Sequence, residues 1–262
     1  MNGAVVLMYH RLGSGRLPGR EAGEDSYAVG PDTFVAHLDI LRECHCALLP
    51  PEALGQGRVP ERSICLTFDD GNSTDYSEAL PVLSRRGLQA AFFITPVWVG
   101  TPGYLDWPEI KEMLAAGMTV GTHGLDHSRL LDFGPAELRS HLSEARRLMQ
   151  ARLGQAPTWL SLPGGAGGQR EVDAAREVGF ERILGSVPAL CFPDTPDPIP
   201  RFAVRRGESL SYFRALAEHR PGIRLRQWLR HQTLQSLRLL LGRQAHARLR
   251  SAWAEFHNSE GE

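Results

Sequence analysis

Apolar positions in this chain fall into two kinds of short run, and the two kinds take turns. Val5-Val6-Leu7-Met8-Tyr9, Ile64-Cys65-Leu66-Thr67-Phe68, Ala90 to Thr95, Met118 to Thr122 and Thr158 to Leu162 are nearly continuous and rich in β-branched and aromatic residues. That is the pattern of strands buried on both faces. Ala47 to Leu49, Arg182 to Gly185 and Phe202 to Arg205 are shorter candidates. Between them the spacing becomes helical. Pro31 to Glu43 sets Phe34, Leu38 and Leu41 on one face, Tyr76 to Arg86 ends at Gly87, Trp107 to Ala116 stops at Gly117, and Arg170 to Val178 forms another short segment. The longest, Pro135 to Leu153, has proline at its start, Gly154 just past its end, and a stripe of Leu138, Leu142, Ala145, Leu148 and Met149. Such alternation predicts an α/β chain with a parallel sheet, and periodicity alone leaves both a barrel and a doubly wound sheet open.

Composition narrows this picture by exclusion. A chain of 262 residues has room for one large core, and a formal charge of -1 argues against nucleic-acid binding through a global field. No apolar run approaches the roughly twenty residues that cross a bilayer. Met1-Asn2-Gly3 leads straight into the first strand without a basic region or a cleavage site, which predicts a cytoplasmic chain, with the inner membrane face as a further address. The four cysteines give no disulfide framework. Cys44-His45-Cys46 suggests a zinc site at first sight, but on a strand the histidine would oppose the two thiols.

Candidate chemistry sits at two strand ends. Thr67-Phe68-Asp69-Asp70-Gly71 closes one apolar run with adjacent carboxylates, which repel unless a cation, a hydrogen bond or a proton separates their pKa values. Alone, Asp-Asp-Gly is an ordinary turn. Met118 to Thr122 likewise runs into His123-Gly124-Leu125-Asp126-His127, whose histidines at i and i+4 would lie on one face of a helical turn. Alone, such a pair among ten histidines is weak. Together, acids from one strand end and histidines from another predict a two-histidine, one-carboxylate metal site.

This pair of motifs resembles the polysaccharide deacetylases, the NodB-homology domains of carbohydrate esterase family 4. The resemblance extends over most of residues 4 to 210, with Val5 to His10 similar to the family's first strand, Ala90 to Thr95 to its AxFF strand, and Leu105-Asp106-Trp107 to the segment before the next helix. It implies a distorted (β/α) barrel with an open seam. It also implies Asp69 as general base and Asp70, His123 and His127 as ligands of a divalent metal, zinc first, with cobalt, nickel or iron also suiting the donors. Gly124 replaces the usual hydroxyl residue between the histidines and removes a support of their loop. The family's R-x-P-Y-G motif reads Ser161-Leu162-Pro163-Gly164-Gly165 here. Its arginine and tyrosine are gone, while the Gly164 amide can still serve as oxyanion donor. Read without the resemblance, Pro163-Gly164-Gly165 is a tight turn.

Arg201 matches an arginine of many relatives and is placed to orient the base in lieu of the missing one. His10, Pro163 and Trp107 are assigned to the substrate side of the site, His10 because strand carboxyl ends gather on one face of a barrel. A leucine-histidine pair, which supplies the acid in many relatives, is not found after the last strand. His219, His231, His246 and His257 fall in an arginine-rich region and read as surface or packing residues. The implied reaction is metal-dependent removal of an N-acetyl group from an amino sugar in a glycan, lipid-linked or nucleotide-linked precursor. A hydrolase of another C–N bond and a non-catalytic glycan-binding domain are the alternatives.

Two segments stand outside the repeat, and a boundary is expected between a catalytic unit over 1–218 and an extension over 219–262. Pro188 to Pro200, with five prolines, is either a wall of the groove or a connector. His219 to Arg250 carries eight arginines and no acid, with Leu225, Trp228, Leu229, Leu234, Leu237, Leu240 and Leu241 as apolar positions. Such a basic amphipathic helical tail either packs on its own domain or lies on an anionic membrane surface.

Overall fold

In the computed structural model, which describes residues 2–13, 24–57 and 59–233, the strand-like runs form one parallel sheet. Its order is β7 (Arg182–Leu184), β6 (Trp159–Ser161), β5 (Thr119–Thr122), β4 (Ala91–Ile94), β3 (Ser63–Asp70), β1 (Val5–Tyr9), β8 (Phe202–Ala203). A short β2 (Ala47–Leu48) pairs with the first two residues of β3. The helices α1 (Pro31–Glu43), α2 (Leu80–Arg85), α3 (Trp107–Ala115), α4 (Pro135–Leu153) and α5 (Gln169–Val178) fall where the spacing predicts them, apart from small shifts at their ends. The helix expected over 76–86 opens instead with a π-helical turn, Asp75–Ala79. Pro81 explains it, because a proline there has no N–H to give to a regular α-helical ladder.

The apolar side chains separate by strand alternation. Val5, Leu7, Tyr9, Ile64, Leu66, Phe68, Phe92 and Ile94 face the helices, with Phe68 stacked on Phe92 at 4.7 Å between centroids and on Tyr9 at 5.2 Å. Val6, Cys65, Ala91 and Phe93 form a second core on the other face, with Trp159, Leu184 and Ile199. That second face continues upward through Thr67 to Asp69, so the register that fills the barrel also delivers the first carboxylate to its carboxyl end.

The expected open seam is bridged. Ile199 N–H donates to Ile183 O at 2.8 Å and Gly185 N–H to Ile199 O at 2.9 Å, while β8 pairs with β1. The proline-rich loop makes this possible. After β7 it descends to Cys191, which exchanges both backbone hydrogen bonds with Ala4 just before β1, and returns at Ile199. It thus lines the seam between β7 and β1 and is more than a bare connector. All four cysteines are free.

Beyond β8 the chain forms a helix not anticipated from the sequence, α6 (Leu210–Ala217), capped by Ser209 and packed through Phe213 onto His37 of α1 with ring centroids 3.7 Å apart. After a turn, a seventh helix covers 221–233. The rest of the expected tail, with Leu234, Leu237, Leu240, Leu241, His246 and His257, lies outside the described residues.

Candidate metal and active site

Alternation along β3 would send Asp69 and Asp70 to opposite faces, and the backbone resolves this. Asp70 takes the left-handed region at φ 85°, which is uncommon for a residue with a side chain and is a mark of a constrained functional position. Both carboxylates are buried inside the strand's hydrogen-bonded length, not on a solvated turn beyond it. Asp70 Oδ1 lies 3.6 Å from His123 Nε2 and 3.7 Å from His127 Nε2. Donors around one tetrahedral ion at about 2.0–2.1 Å would stand about 3.4 Å apart, so the three fit a single divalent cation. Among the described residues they are the group of acid, histidine and cysteine ligands close enough to do so, and Cys44-His45-Cys46 is not.

His123 is fully prepared as a ligand. Its Nδ1 sits 2.9 Å from Ser161 O, which fixes the proton on Nδ1 and leaves the Nε2 lone pair facing Asp70. Burial lowers its pKa, against the pull of Asp69 and Asp70, so the ring is held in its neutral, coordinating form.

The histidine loop is a turn and not the helical turn that the spacing suggested. Gly124 at φ 74° and His127 at φ 67° curl the backbone so that both rings converge. Gly124 is required twice over: its φ is left-handed, and a Cβ there would meet Pro163 Cγ at 3.0 Å. The support that a hydroxyl residue would give at 124 comes from elsewhere. Thr122 Oγ1 donates to Gly124 O at 2.7 Å, Val97 N–H to Leu125 O at 3.1 Å, and Leu125 N–H to His141 Nε2 at 3.3 Å. Trp98 stacks on His127 with centroids 5.1 Å apart.

Beside the ligands, Asp69 is clamped. Arg201, wholly buried, donates from Nη1 and Nη2 to the two Asp69 oxygens at 2.8 Å each. Its remaining N–H groups reach Ser161 Oγ at 2.7 Å, Thr67 Oγ1 at 3.2 Å and Gly185 O at 2.7 Å, so all five donors are used. Ser161 Oγ in turn donates to Asp69 Oδ2 at 3.0 Å. Burial pushes the Asp69 carboxyl up, but the charge of Arg201, with His123, the Arg201 hydrogen bonds and His10, outweighs it and holds the group well below the usual carboxylate range. Asp69 is therefore a fixed carboxylate, 4.0 Å from His123 Nε2.

Of the other expected site residues, His10 follows β1, lies tilted against Tyr27 with ring centroids 4.7 Å apart and is close enough to act on the charge of Asp69. Pro163 is buried against the histidine loop, and Gly164, in the turn Pro163–Gly165, is exposed at φ 64° with open space where a side chain would be. Trp107 is not brought to the site. It is the first residue of α3, partly buried on the main core with Arg152 5.9 Å from its ring centroid. Ser161 and Thr67 belong to the site and were not predicted. Their signal was position: each lies on a strand whose end carries a motif, and Ser161 stands where the motif arginine would be.

A family model described as polysaccharide deacetylase matches residues 56–183, the stretch that carries both strand-end motifs and the Ser161 to Gly165 turn. The chain belongs to the polysaccharide deacetylase family. Over 219 residues this deacetylase-family chain is 29% identical to YxkH of Bacillus subtilis, a polysaccharide deacetylase by name, covering 81% of this chain and 75% of that one. It is 21% identical to a poly-beta-1,6-N-acetyl-D-glucosamine N-deacetylase of Staphylococcus aureus over 78% of this chain and 79% of the other. The solved structure of IcaB from Ammonifex degensii superposes with a TM-score of 0.72 at 27% identity, covering 83% of this chain and 98% of that one. The chain spans less than half the length of several other curated relatives.

Proposed function

We propose that this family member is a metal-dependent hydrolase that removes the N-acetyl group from an amino sugar of a glycan or of a glycan precursor. The Arg201–Asp69 clamp beside the Asp70–His123–His127 cluster carries this reading. A bound divalent cation, zinc by the donor set, would polarise the acetamide carbonyl and lower the pKa of a water. Asp70, His123 and His127 would hold it, and the hydrogen bond from His123 to Ser161 O sets the ligand tautomer. Asp69 takes the proton as water attacks the carbonyl carbon, and a proton passes to the amine nitrogen as the C–N bond breaks and acetate leaves. Arg201 and Ser161 keep its oxygens aimed, at the cost of some basicity. The Gly164 amide would serve as the oxyanion donor, and the open space where a side chain would stand would leave room for a sugar ring. His10, beside Tyr27, would line the mouth.

The names of relatives support the substrate class, since one acts on poly-N-acetylglucosamine and another on peptidoglycan N-acetylglucosamine. The retained Asp69 favours catalysis over binding alone, because a binding-only domain has no need of a base. Acetate release from a panel of N-acetylated sugars, with and without chelator, tests the proposal. Release that chelation abolishes and zinc restores is expected, and no release from any acetamido sugar by the metal-loaded protein would sink it.

A further inference from the structure

The helix over 221–233 is turned the wrong way for a packing element. Ile223 and Gln227, one helical turn apart, are its inward positions: Ile223 rests on the main core and Gln227 is 5% exposed. Leu225, Trp228 and Leu229, at i, i+3 and i+4, lie on the opposite side and are 56%, 43% and 51% exposed. An amide is buried, and the apolar stripe that a globular helix hides is presented to solvent. Arg224 and Arg226 border that stripe, Arg230 follows it, and no acidic residue occurs between 219 and 250. A helix with an outward apolar stripe and purely basic flanks is complementary to a surface that is apolar inside and anionic outside.

Its course adds a second observation. The helix begins near His219, whose contact is with Ser63 at the amino end of β3, and passes α6 where Arg226 lies 5.6 Å from the centroid of Tyr212. Arg230, further along, is near Glu208 and Arg205 of the segment after β8, and Arg205 lies 5.3 Å from the Tyr27 ring centroid. Tyr27 carries His10, at the carboxyl end of β1 beside Asp69. The helix therefore rises along the barrel from its amino end to the rim of the catalytic face.

We propose that this helix is an interfacial anchor. Leu225, Trp228 and Leu229 enter an anionic lipid surface, the bordering arginines meet its headgroups, and the mouth of the site is brought to an amino sugar carried on lipid. The lipid-carried substrate rests on the function proposed above; the lipid binding does not.

The experiment uses the full chain, co-sedimented with vesicles of phosphatidylcholine alone or with a minor share of phosphatidylglycerol, at low and high salt. Binding to the anionic vesicles is expected to exceed that to the neutral ones by roughly tenfold or more at low salt and to fall as salt is added. Leu225→Ser with Leu229→Ser should reduce it by a similar factor, without changing far-UV circular dichroism or hydrolysis of a soluble acetylated oligosaccharide. Arg224→Gln with Arg226→Gln should flatten the salt dependence. Absence of binding at low salt, or binding that the double serine variant retains, overturns the anchor. So does a wild-type dimer in sedimentation velocity that the serine variant dissolves, because a second copy then covers the stripe. Vesicle binding without deacetylation of any sugar leaves the anchor standing and fells the functional reading. Deacetylation of soluble sugar without vesicle binding does the reverse.

Discussion

Asp69 and Asp70 are neighbours in sequence with different surroundings, so their replacements should separate cleanly. Asp69→Asn should keep the metal and lose turnover by about 10²- to 10⁴-fold, while Asp70→Asn should lose the metal itself; metal analysis beside initial rates checks both. Arg201 can be tested through the clamp. Arg201→Lys retains a charge but not the paired geometry, and a fall of roughly 10- to 100-fold in kcat with the metal retained is expected. Because Arg201 depresses the Asp69 pKa, the variant should also lose activity at a higher pH on the acid side of its profile. Arg201→Met should be harsher, leaving Asp69 buried and unpaired at a cost of about 3–5 kcal/mol, seen as a lower urea midpoint. The grouping of Asp70, His123 and His127, with Asp69 beside them, was legible because these residues stand at strand ends. Arg201 was legible only through the family resemblance, and Ser161 looked like a loss when it is a junction. A serine leaves space that a motif arginine would fill, and Arg201 enters that space from the residue before β8, which no local pattern encodes.

At the scale of elements, the strand and helix order was readable because buried runs and amphipathic stripes differ in period. The exceptions have local causes. Pro81 put a π turn where a plain helix was expected, and α6 was overlooked although Ser209 caps it and Leu210, Phe213, Leu216 and Ala217 repeat at helical spacing. The histidine turn was misread as helical because spacing alone carries no φ. That turn gives a direct test. Gly124→Ala must hold alanine in the left-handed region and displace Pro163, so about 1 kcal/mol of stability and a measurable share of metal affinity should be lost. Thermal melts with and without zinc report the two effects separately: the metal-free shift gives the strain, and the difference between shifts gives the affinity.

Over the whole molecule, the pH dependence of stability follows from its buried histidines. His37 is held neutral by burial, its pKa lowered to about 4, between the Tyr9 hydroxyl at 3.1 Å and Phe213. Burial also lowers His141 and His219. The unfolded chain takes these protons from about pH 6.5 downward and the native state refuses them, so stability is full above that pH and is lost as pH falls towards the native value. For His37 alone the loss should reach about 2 kcal/mol by pH 5. Urea unfolding at pH 7 and pH 5 measures it, and His37→Gln, which keeps a partner for Tyr9, should shrink the difference. The sequence showed the alternation of strand and helix, but not how the sheet closes, since the closing loop is irregular and its pairing with Ala4 spans almost the whole barrel. That late closure has a bearing on how the protein is made. The ligand cluster is complete once β5 and its loop have emerged from the ribosome, yet the guanidinium that disciplines Asp69 arrives only with β8, after the seam loop. On the function proposed above, a nascent or truncated chain would own its metal ligands before it owned an oriented base, and hydrolysis would wait until the last strand docks.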